Sequence, residues 1–294
     1  METTLEQIPL TSEIHFSDVS ATALVTLYCR ALESQSKDPI LKDTWAENIT
    51  HKITPLLADT QDPLLRKLAN GKVDQNLVVH IALRAQKYDE YSLNFLFEHP
   101  EGIIVNLGCG MDTRFFRIDN GKVEFFDIDL PELIDFKQQL IAPGERYHLI
   151  ASSIFDYGWM DEVSAVGPRP ILFLAEGVFM YLEPDRVRDL VVELQRRFSG
   201  SELVCEIFNK RWLSKYLKPI MNSKMQGQLK LGKGSEYQFG VADSQEMESW
   251  HTGIEFLDEW VYFDSDNPKL GMLKAFRKIE LLRKTQWTVH YRLN

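Results

Sequence analysis

The sequence predicts an α/β protein in which helices cover both faces of a doubly wound, mostly parallel sheet. After residue 100, short apolar segments alternate with segments of helical periodicity, and this alternation is typical of such a sheet. The apolar segments are continuous, as in ILFLA at 171–175, which indicates strands buried on both faces. The predicted strands are 103–107, 123–128, 148–152, 171–175 and 202–207.

The first hundred residues have a different pattern and are predicted to be helical. Apolar residues at 24, 27, 28, 31 and 32 follow helical spacing behind possible caps at Ser17 or Asp18. A second stripe at 77, 81, 85 and 88 extends toward residue 96, and Pro100 and Gly102 end the region. Two further helices are expected between strands, over 133–141 and 187–194.

The end of the chain breaks the alternation of strands and helices. Residues 210–240 are rich in Lys, Gln, Gly and Ser and are interpreted as part of an insertion, reaching to about 250, near the strand ends. A strand near 255–263 and a final alternating strand at 285–293 then predict an antiparallel hairpin at the sheet edge. We therefore predict one domain over 1–294, divided into a helical cover (1–100), a core (101–209), an insertion or lid (210–250) and C-terminal strands (251–294).

A glycine turn follows the first predicted strand, in the segment IIVNLGCGMDTRFFR at 103–117. Gly108 and Gly110 let the backbone approach a ligand closely. About twenty residues later, the second strand ends in Asp127 and Asp129, and a carboxylate at that place accepts hydrogen bonds from ribose hydroxyls. The spacing predicts a nucleoside site.

The details of the turn favour S-adenosylmethionine (SAM) over a dinucleotide. The dinucleotide fingerprint requires a third glycine or alanine, where this chain has Thr113. Asp112 adds negative charge, which repels a pyrophosphate but attracts the cationic methionyl group of SAM. An NAD-dependent oxidoreductase is thereby disfavoured, and methyl transfer is the expected reaction.

Composition excludes several other classes of function. A formal net charge of −10 argues against general nucleic-acid binding, and no apolar run is long enough to span a membrane. Cys29, Cys109 and Cys205 are far apart and do not have the spacing of a metal site, so we expect no metal. Buried thiols and the lack of a signal-peptide pattern predict a cytoplasmic protein.

Four ordered segments resemble the leucine carboxyl methyltransferase family, and are closest to its branch of polyketide-type O-methyltransferases. These segments are VNLGCGMDTRFFR, FFDIDLPE, FLAEGVFMYLEP and FSGSELVCEIF. The resemblance covers most of the chain. It implies a Rossmann-like SAM-dependent methyltransferase fold with a seven-stranded sheet, an antiparallel last strand and an N-terminal helical cover over the active site.

The resemblance also implies roles for particular residues in SAM binding. Arg84 matches the arginine that pairs with the SAM carboxylate, and a guanidinium fork suits a carboxylate. Gly108 matches the turn glycine, and Asp129 matches the ribose-binding carboxylate. Asp127 is its nearest rival, because residues two apart on a strand share a face; one of the two could merely orient the other, or either could cap the helix opening at Pro131.

Three further positions, Ser153, Ile154 and Glu176, complete the SAM site that the resemblance implies. Ser153 and Ile154 match the pair that flanks the adenine, although better-known members have an acidic residue at the position of Ser153, a role that Asp156 could take over. Glu176 matches a glutamate at the methionyl end of SAM. Tyr181 either borders the acceptor pocket or is a packing residue.

The methyl acceptor is left open by the sequence, as is the oligomeric state. The branch implies a small molecule bearing a carboxylate or a hydroxyl; the alternatives are a protein C-terminal carboxylate or a SAM-binding protein without catalysis. A hydroxyl acceptor would need a general base, for which the candidates are His251, His148 and Glu183. An apolar acceptor pocket or the core would account equally well for Trp212, Tyr216, Tyr237, Trp250 and Phe256.

Overall fold

The structure is a computed structural model that describes residues 18–58, 60–217, 219 and 236–294. The α-helices are α1 (Asp18–Ser34), α2 (Thr44–Ala58), α3 (Pro63–Ala69), α4 (Gln75–Glu98), α5 (Phe115–Ile118), α6 (Pro131–Gln138), α7 (Gly158–Ala165), α8 (Pro184–Arg197) and α9 (Glu280–Arg283). The strands are β1 (Ile103–Leu107), β2 (Glu124–Asp129), β3 (Tyr147–Ala151), β4 (Ile171–Ala175), β5 (Ser201–Phe208), β6 (Ile254–Trp260) and β7 (Gln286–Leu293).

These strands form one seven-stranded sheet in the order β3-β2-β1-β4-β5-β7-β6. The first five strands are parallel, and β7 pairs antiparallel with both β5 and β6. Strands β2 and β3 lie on one side of β1, and strands β4 to β7 lie on the other, so the strand order reverses direction between β1 and β4. The carboxyl ends of β1 and β4 therefore border the crevice in which open α/β sheets bind ligands.

The two faces of the sheet bury separate apolar layers. Ile104 and Leu172 belong to the layer under α1 to α4 and α6, whereas Val105 and Phe173 belong to the layer under α7 and α8. The strands have buried side chains on both faces because helices cover each one. The N-terminal helices reach the strand ends across this first layer, so they can cover a ligand bound there.

The predicted fold class is confirmed, including the seven strands, the antiparallel last strand and the helical cover. The predicted strands of the core agree with β1 to β5 to within one residue at either end, and β1 and β4 agree at both ends. The predicted division into segments stays a prediction, and residues 218 and 220–235 of the proposed insertion lie outside the described part of the chain. In that part, no helix has the length and apolarity needed to cross a membrane.

Candidate functional site

A cavity of about 310 Å³ opens at the carboxyl ends of the strands, at the crevice between β1 and β4. Its walls come from the glycine turn after β1, from the residues that follow β2, β3 and β4, and from α1 and α4 of the cover. The predicted site residues that line it are Arg84, Gly108, Gly110, Asp129, Ser153, Ile154, Glu176 and Tyr181. One cavity thus brings together Tyr181 and all of the residues predicted to bind SAM except Asp127.

The glycine turn has a backbone conformation that favours glycine at two positions. Gly108 and Gly110 have φ angles of 65° and 53°, in the left-handed region. A Cβ atom on Gly108 would lie 2.7 Å from Cγ2 of Val178, which also lines the cavity. The two glycines therefore keep this part of the wall free of side chains, so that a ligand can approach the backbone closely.

Asp129 ends β2 with its carboxylate held by the backbone. Its Oδ2 accepts a hydrogen bond from the N–H of Gly110 at 2.8 Å, and its Oδ1 accepts one from the N–H of Leu130 at 2.8 Å. Leu130, not Asp129, occupies the N-cap of α6. Burial raises the pKa of Asp129 in spite of these two bonds, so hydroxyl donors from a ligand would stabilise its charged form.

Asp127 has a different environment, although it is only two residues away. Its carboxylate accepts hydrogen bonds from Lys137 Nζ at 2.7 Å, Tyr147 Oη at 2.6 Å and Asn106 Nδ2 at 2.9 Å. Asp127 and Lys137 are almost completely buried. Three donors already engage this carboxylate below the turn, and it is not among the residues that line the cavity. The geometry favours Asp129 over Asp127 as a ligand-binding group.

Glu176 and Arg84 form an ion pair in the cavity wall. Arg84 Nε donates to Glu176 Oε1 at 2.9 Å, and Arg114 Nη2 donates to Glu176 Oε2 at 2.6 Å. Burial alone would raise the pKa of Glu176, but the guanidinium groups of Arg114 and Arg84 outweigh it and hold that pKa below its ordinary value. Glu176 is therefore a carboxylate at neutral pH and a weak base.

This pair belongs to a continuous series of buried ion pairs, which we call the ionic chain. Adjacent members are joined by N–O distances between 2.6 and 3.0 Å. In order, its members are Arg30, Asp43, Arg117, Asp89, Arg114, Glu176, Arg84 and Glu206, and Asp112 joins Arg114 to Arg117. The ionic chain connects the cover, through α1 and α4, to the turn after β1 and the ends of β4 and β5.

The adenine-flanking pair predicted from the family lies after β3. Ser153 and Ile154 line the cavity, and Leu133 of α6 adds a further apolar surface to its wall. Ser153 Oγ accepts a hydrogen bond from the N–H of Phe155 at 3.3 Å. Asp156, which the sequence offered as a substitute, is not among the lining residues. The lining is thus mainly apolar here, as a purine ring requires.

Tyr181 lies at the open end of a stack of three aromatic rings. Its ring is stacked on Tyr237 with centroids 5.4 Å apart, and Tyr237 is stacked on Phe208 at 4.2 Å. The phenol groups of Tyr181 and Tyr237 hydrogen-bond each other, and burial, then the charge of Glu206, raise the pKa of Tyr181. Tyr181 therefore presents a protonated phenol beside Arg84.

The other aromatic candidates are divided between surface and core. Tyr216 is exposed, whereas Trp250 and Phe256 pack against the apolar layer under α7 and α8. Trp212 packs against the apolar cluster that contains Phe208 and Tyr237. None of the five lines the cavity.

The three candidate bases also lie away from the cavity lining. His148 Nε2 is 2.8 Å from Oε2 of Glu124, and the exposed His251 accepts a hydrogen bond from the N–H of Gly253. Glu183 is the N-cap residue of α8. The structure thus brings none of them to the glycine turn.

Most members of the ionic chain were not predicted from the sequence. Two signals were present: DTRFFR concentrates charge directly after a buried strand, and LVCEIF places Glu206 inside an apolar strand. A charged residue in such a strand is costly unless it is paired, which makes Glu206 conspicuous. Its partner Arg84 is 122 positions away in sequence, and spacing alone cannot identify such a pair.

Comparisons with known proteins agree with this architecture. The profile of the leucine carboxyl methyltransferase family matches residues 23–195. The chain is 28% identical over 86% of its length to a tetracenomycin polyketide synthesis O-methyltransferase of Streptomyces glaucescens, covering 86% of that protein. It is 26% identical over 94% of its length to the S-adenosyl-L-methionine-dependent methyltransferase dpfgK of Gibberella zeae, covering 92% of that protein.

A solved structure supports the fold independently. A DUF574 family protein from Streptomyces avermitilis superposes with a TM-score of 0.54 at 12% identity, over 92% of this chain and 96% of that one. The family profile covers more than half of the chain. The chain therefore belongs to the leucine carboxyl methyltransferase family and is a SAM-dependent methyltransferase.

Proposed function

We propose that this methyltransferase transfers the methyl group of SAM to the carboxylate of a small organic molecule and releases a methyl ester and S-adenosylhomocysteine (SAH). The observation that carries the proposal is that the cavity wall holds Glu176 ion-paired to Arg84 and Arg114, with the phenol of Tyr181 nearby. Its methionyl-end carboxylate, Glu176, is ion-paired and a weak base, whereas its phenol, Tyr181, is a hydrogen-bond donor. Such a wall suits an acceptor that arrives already ionised.

The residues that line the cavity fit SAM in chemistry and position. Asp129 would accept hydrogen bonds from the ribose hydroxyls, since its carboxylate is fixed by two backbone N–H groups and its pKa is raised without further donors. Gly108 and Gly110 would let the ligand approach the backbone closely, and Ser153 and Ile154 would flank the adenine. Asp127, already bonded by three donors, would support the turn from below.

At the methionyl end of SAM, the cavity wall offers one cationic group, Arg84, and one anionic group, Glu176. Arg84 would bind the SAM carboxylate, because Glu176 and Glu206 engage its Nε and Nη1 and leave Nη2 with no acceptor among the described residues. Glu176 would lie near the ammonium and sulfonium charges. These two roles stay predictions, as does the pairing of Asp129 with the ribose.

Methyl transfer to a carboxylate places modest demands on the protein. When bound, SAM supplies a methyl group on a sulfonium sulfur, which an anionic oxygen can displace without prior proton transfer. The chain contributes by binding and orienting both reactants and by excluding water under α1 and α4. Tyr181 would donate a hydrogen bond to the acceptor carboxylate and thereby fix which oxygen faces the methyl group.

The relatives support a small-molecule acceptor. One similar protein is named for O-methylation in polyketide synthesis, and the chain matches most of its length. A polyketide-like acid is accordingly the acceptor class that we propose, while a hydroxyl of the same kind of molecule and a protein C-terminal carboxylate are the alternatives. The cytoplasmic location also stays a prediction.

The proposal is tested with purified protein, SAM carrying a labelled methyl group, and three acceptor panels: small aromatic and aliphatic acids, the matching phenols and alcohols, and peptides ending in a free leucine carboxylate. We expect label in products of the acid panel, and mild alkali should release it as methanol because esters hydrolyse and ethers do not. Alkali-stable label from the phenols would replace the carboxylate by a hydroxyl, and label in the peptides would favour a protein acceptor.

Binding without turnover would contradict the enzymatic assignment. Calorimetric titration with SAM and SAH, and with NAD as a control, establishes the cofactor site independently of any acceptor. Binding of SAM together with no transfer to any panel would favour a SAM-binding protein without catalysis. Tyr181→Phe should raise KM for the acceptor several-fold and leave the Kd of SAM unchanged, because it removes the hydroxyl that would bind the acceptor and keeps the residues assigned to SAM.

A further inference from the structure

Glu206 is a charged residue between Cys205 and Ile207, in the buried C-terminal half of strand β5. It is only 2% exposed, and it does not line the cavity. Its Oε2 accepts a hydrogen bond from Nη1 of Arg84 at 2.8 Å, and its Oε1 accepts one from Nε2 of Gln286 at 3.0 Å. Glu206 therefore acts on the cavity through Arg84, which lines the wall.

The ionic chain that ends at Glu206 is not balanced in charge. It joins four guanidinium groups, from Arg30, Arg84, Arg114 and Arg117, to five carboxylates. Glu206 pairs with a single guanidinium, and it shares that guanidinium with Glu176. The ionic chain therefore carries one surplus negative charge when all its carboxylates are ionised.

A nearby histidine does not compensate this surplus. His80 Nε2 lies 2.7 Å from Nε2 of Gln286, so the Gln286 amide can donate one hydrogen to His80 and the other to Glu206. Burial, and then the charge of Arg84, lower the pKa of His80 to about 3. His80 is therefore neutral at pH 7 and acts as an acceptor.

In the protein without a ligand, the surplus negative charge of the ionic chain has a cost in free energy. Burial is the main cause that raises the pKa of Glu206, and the charge of Glu176 adds to it, against the opposing effects of Arg84 and the N–H of Gly177. A cation added to the cavity would offset this cost. The titratable and charged groups around Glu206 are Arg84 and Tyr88 from α4, Glu176 and Tyr181 after β4, Tyr237, and the neighbouring Cys205 of its own strand. His80 of α4 is connected to it through Gln286 of β7.

The two forms of the cofactor differ by one such charge. SAM has a sulfonium, an ammonium and a carboxylate, and its net charge is +1, whereas SAH has lost the sulfonium charge and is neutral overall. We propose that Glu206 is a specificity-determining residue that makes the site prefer SAM to SAH, so that methyl transfer itself weakens the binding of the product. This inference rests on the proposed cofactor site and extends it to a residue outside the cavity.

The preference is tested by calorimetric titration of the full chain with SAM, SAH and sinefungin. Sinefungin has an amine in place of the methylated sulfur and is cationic, so it separates an effect of charge from contacts with the methyl group. We expect wild-type protein to bind SAM and sinefungin more tightly than SAH. In Glu206→Gln the ratio of the SAH Kd to the SAM Kd should fall by about three- to tenfold, the usual size of a Coulomb effect in a partly buried site.

A matched control lies on the same strand. Glu202 is paired with His290 near the start of β5, and it is neither in the ionic chain nor in the cavity lining. Glu202→Gln should leave the ratio of the two Kd values unchanged. Sinefungin supplies a second readout: the ratio of the SAH Kd to the sinefungin Kd should fall in Glu206→Gln and stay unchanged in Glu202→Gln.

Three results would overturn the proposal. Equal weakening of all three ligands in Glu206→Gln would mean that Glu206 only holds Arg84 in place. Loss of SAM binding alone, with sinefungin unaffected, would mean that methyl contacts set the preference. If wild type binds none of the three ligands, the cofactor site itself is wrong and the inference fails with it.

A second variant keeps the test valid if Glu206→Gln does not fold. Gln286→Leu removes one donor to Glu206 and favours its protonated form, so the preference for sinefungin over SAH at pH 7 should be smaller than in wild type. An unchanged preference in this folded variant would contradict the role of Glu206.

Discussion

Two groups of buried charges lie on either side of the glycine turn, and they are built differently. Below the turn, Lys137 and Asp127 form a balanced pair, and Tyr147 and Asn106 complete the hydrogen bonding of the carboxylate. At the cavity, the ionic chain has more carboxylates than guanidinium groups, and Asp112, Glu176, Arg30 and Arg84 line the wall. The balanced pair of Lys137 and Asp127 supports the backbone of the turn, whereas the ionic chain, with its surplus negative charge, is suited to binding a cationic ligand.

The largest expected effect is the loss of the balanced pair. Asp127→Ala leaves the Lys137 ammonium buried without its counter-ion, and breaking a buried pair in this way costs about 3–5 kcal/mol. We therefore expect a fall of that size in the free energy of unfolding, measured by urea denaturation at pH 7. The Kd of SAM should change only in proportion to any loss of folded protein.

Paired variants sharpen this comparison. The double variant Asp127→Leu/Lys137→Met replaces both charges by apolar groups and should recover most of the lost stability. Glu206→Gln removes a surplus charge from the ionic chain and should cost much less stability than Asp127→Ala. A greater cost for Glu206→Gln than for Asp127→Ala would reverse the assignment of the two groups.

The next largest expected effect is a loss of SAM affinity when Asp129 is replaced. Asp129→Asn keeps the size of the side chain but removes the carboxylate, and hydrogen bonds to a charged group contribute about 1.5–3 kcal/mol. The Kd of SAM should rise by roughly 10- to 100-fold, measured calorimetrically, while the free energy of unfolding changes little. If Asp127→Asn weakens SAM binding more than Asp129→Asn does in a folded protein, the ribose assignment moves to Asp127.

The sequence predicts the parts of this site that are local in the chain. Gly108 and Asp129 are identified by a turn and a strand end about twenty residues apart, and the strands around them follow from continuous apolar runs. The same short-range pattern cannot separate Asp127 from Asp129, because both end the same strand on the same face. Their roles diverge through Lys137 and Tyr147, which only the packing of α6 and β3 brings to Asp127.

The ionic chain is the part that the sequence does not predict. Arg84 is identified by family resemblance as a group for the SAM carboxylate, yet in the structure it also bridges Glu176 and Glu206. These ion pairs join the cover to two separate strands, across 92 and 122 positions of sequence. Hydrophobic periodicity locates the helices and strands, but it contains no information on which charges meet between them.

The smallest effect concerns His80, the neutral group beside the unbalanced ionic chain. Its pKa is about 3 in the folded protein, because of burial and then Arg84, against about 6.5 when unfolded. Since the unfolded chain binds the proton more readily, His80 stabilises the fold above about pH 6.5, and this contribution is lost as pH falls toward 3. The free energy of unfolding of wild type should thus fall by no more than about 1.4 kcal/mol per pH unit through this group.

Urea denaturation at pH 7.5 and 5.0 should show a smaller loss of stability for His80→Gln than for wild type. His251→Gln, at an exposed histidine, should show the same loss as wild type. An unchanged pH dependence in His80→Gln would mean that His80 becomes protonated in the folded protein. The ionic chain would then gain the compensating cation that its surplus charge is inferred to lack.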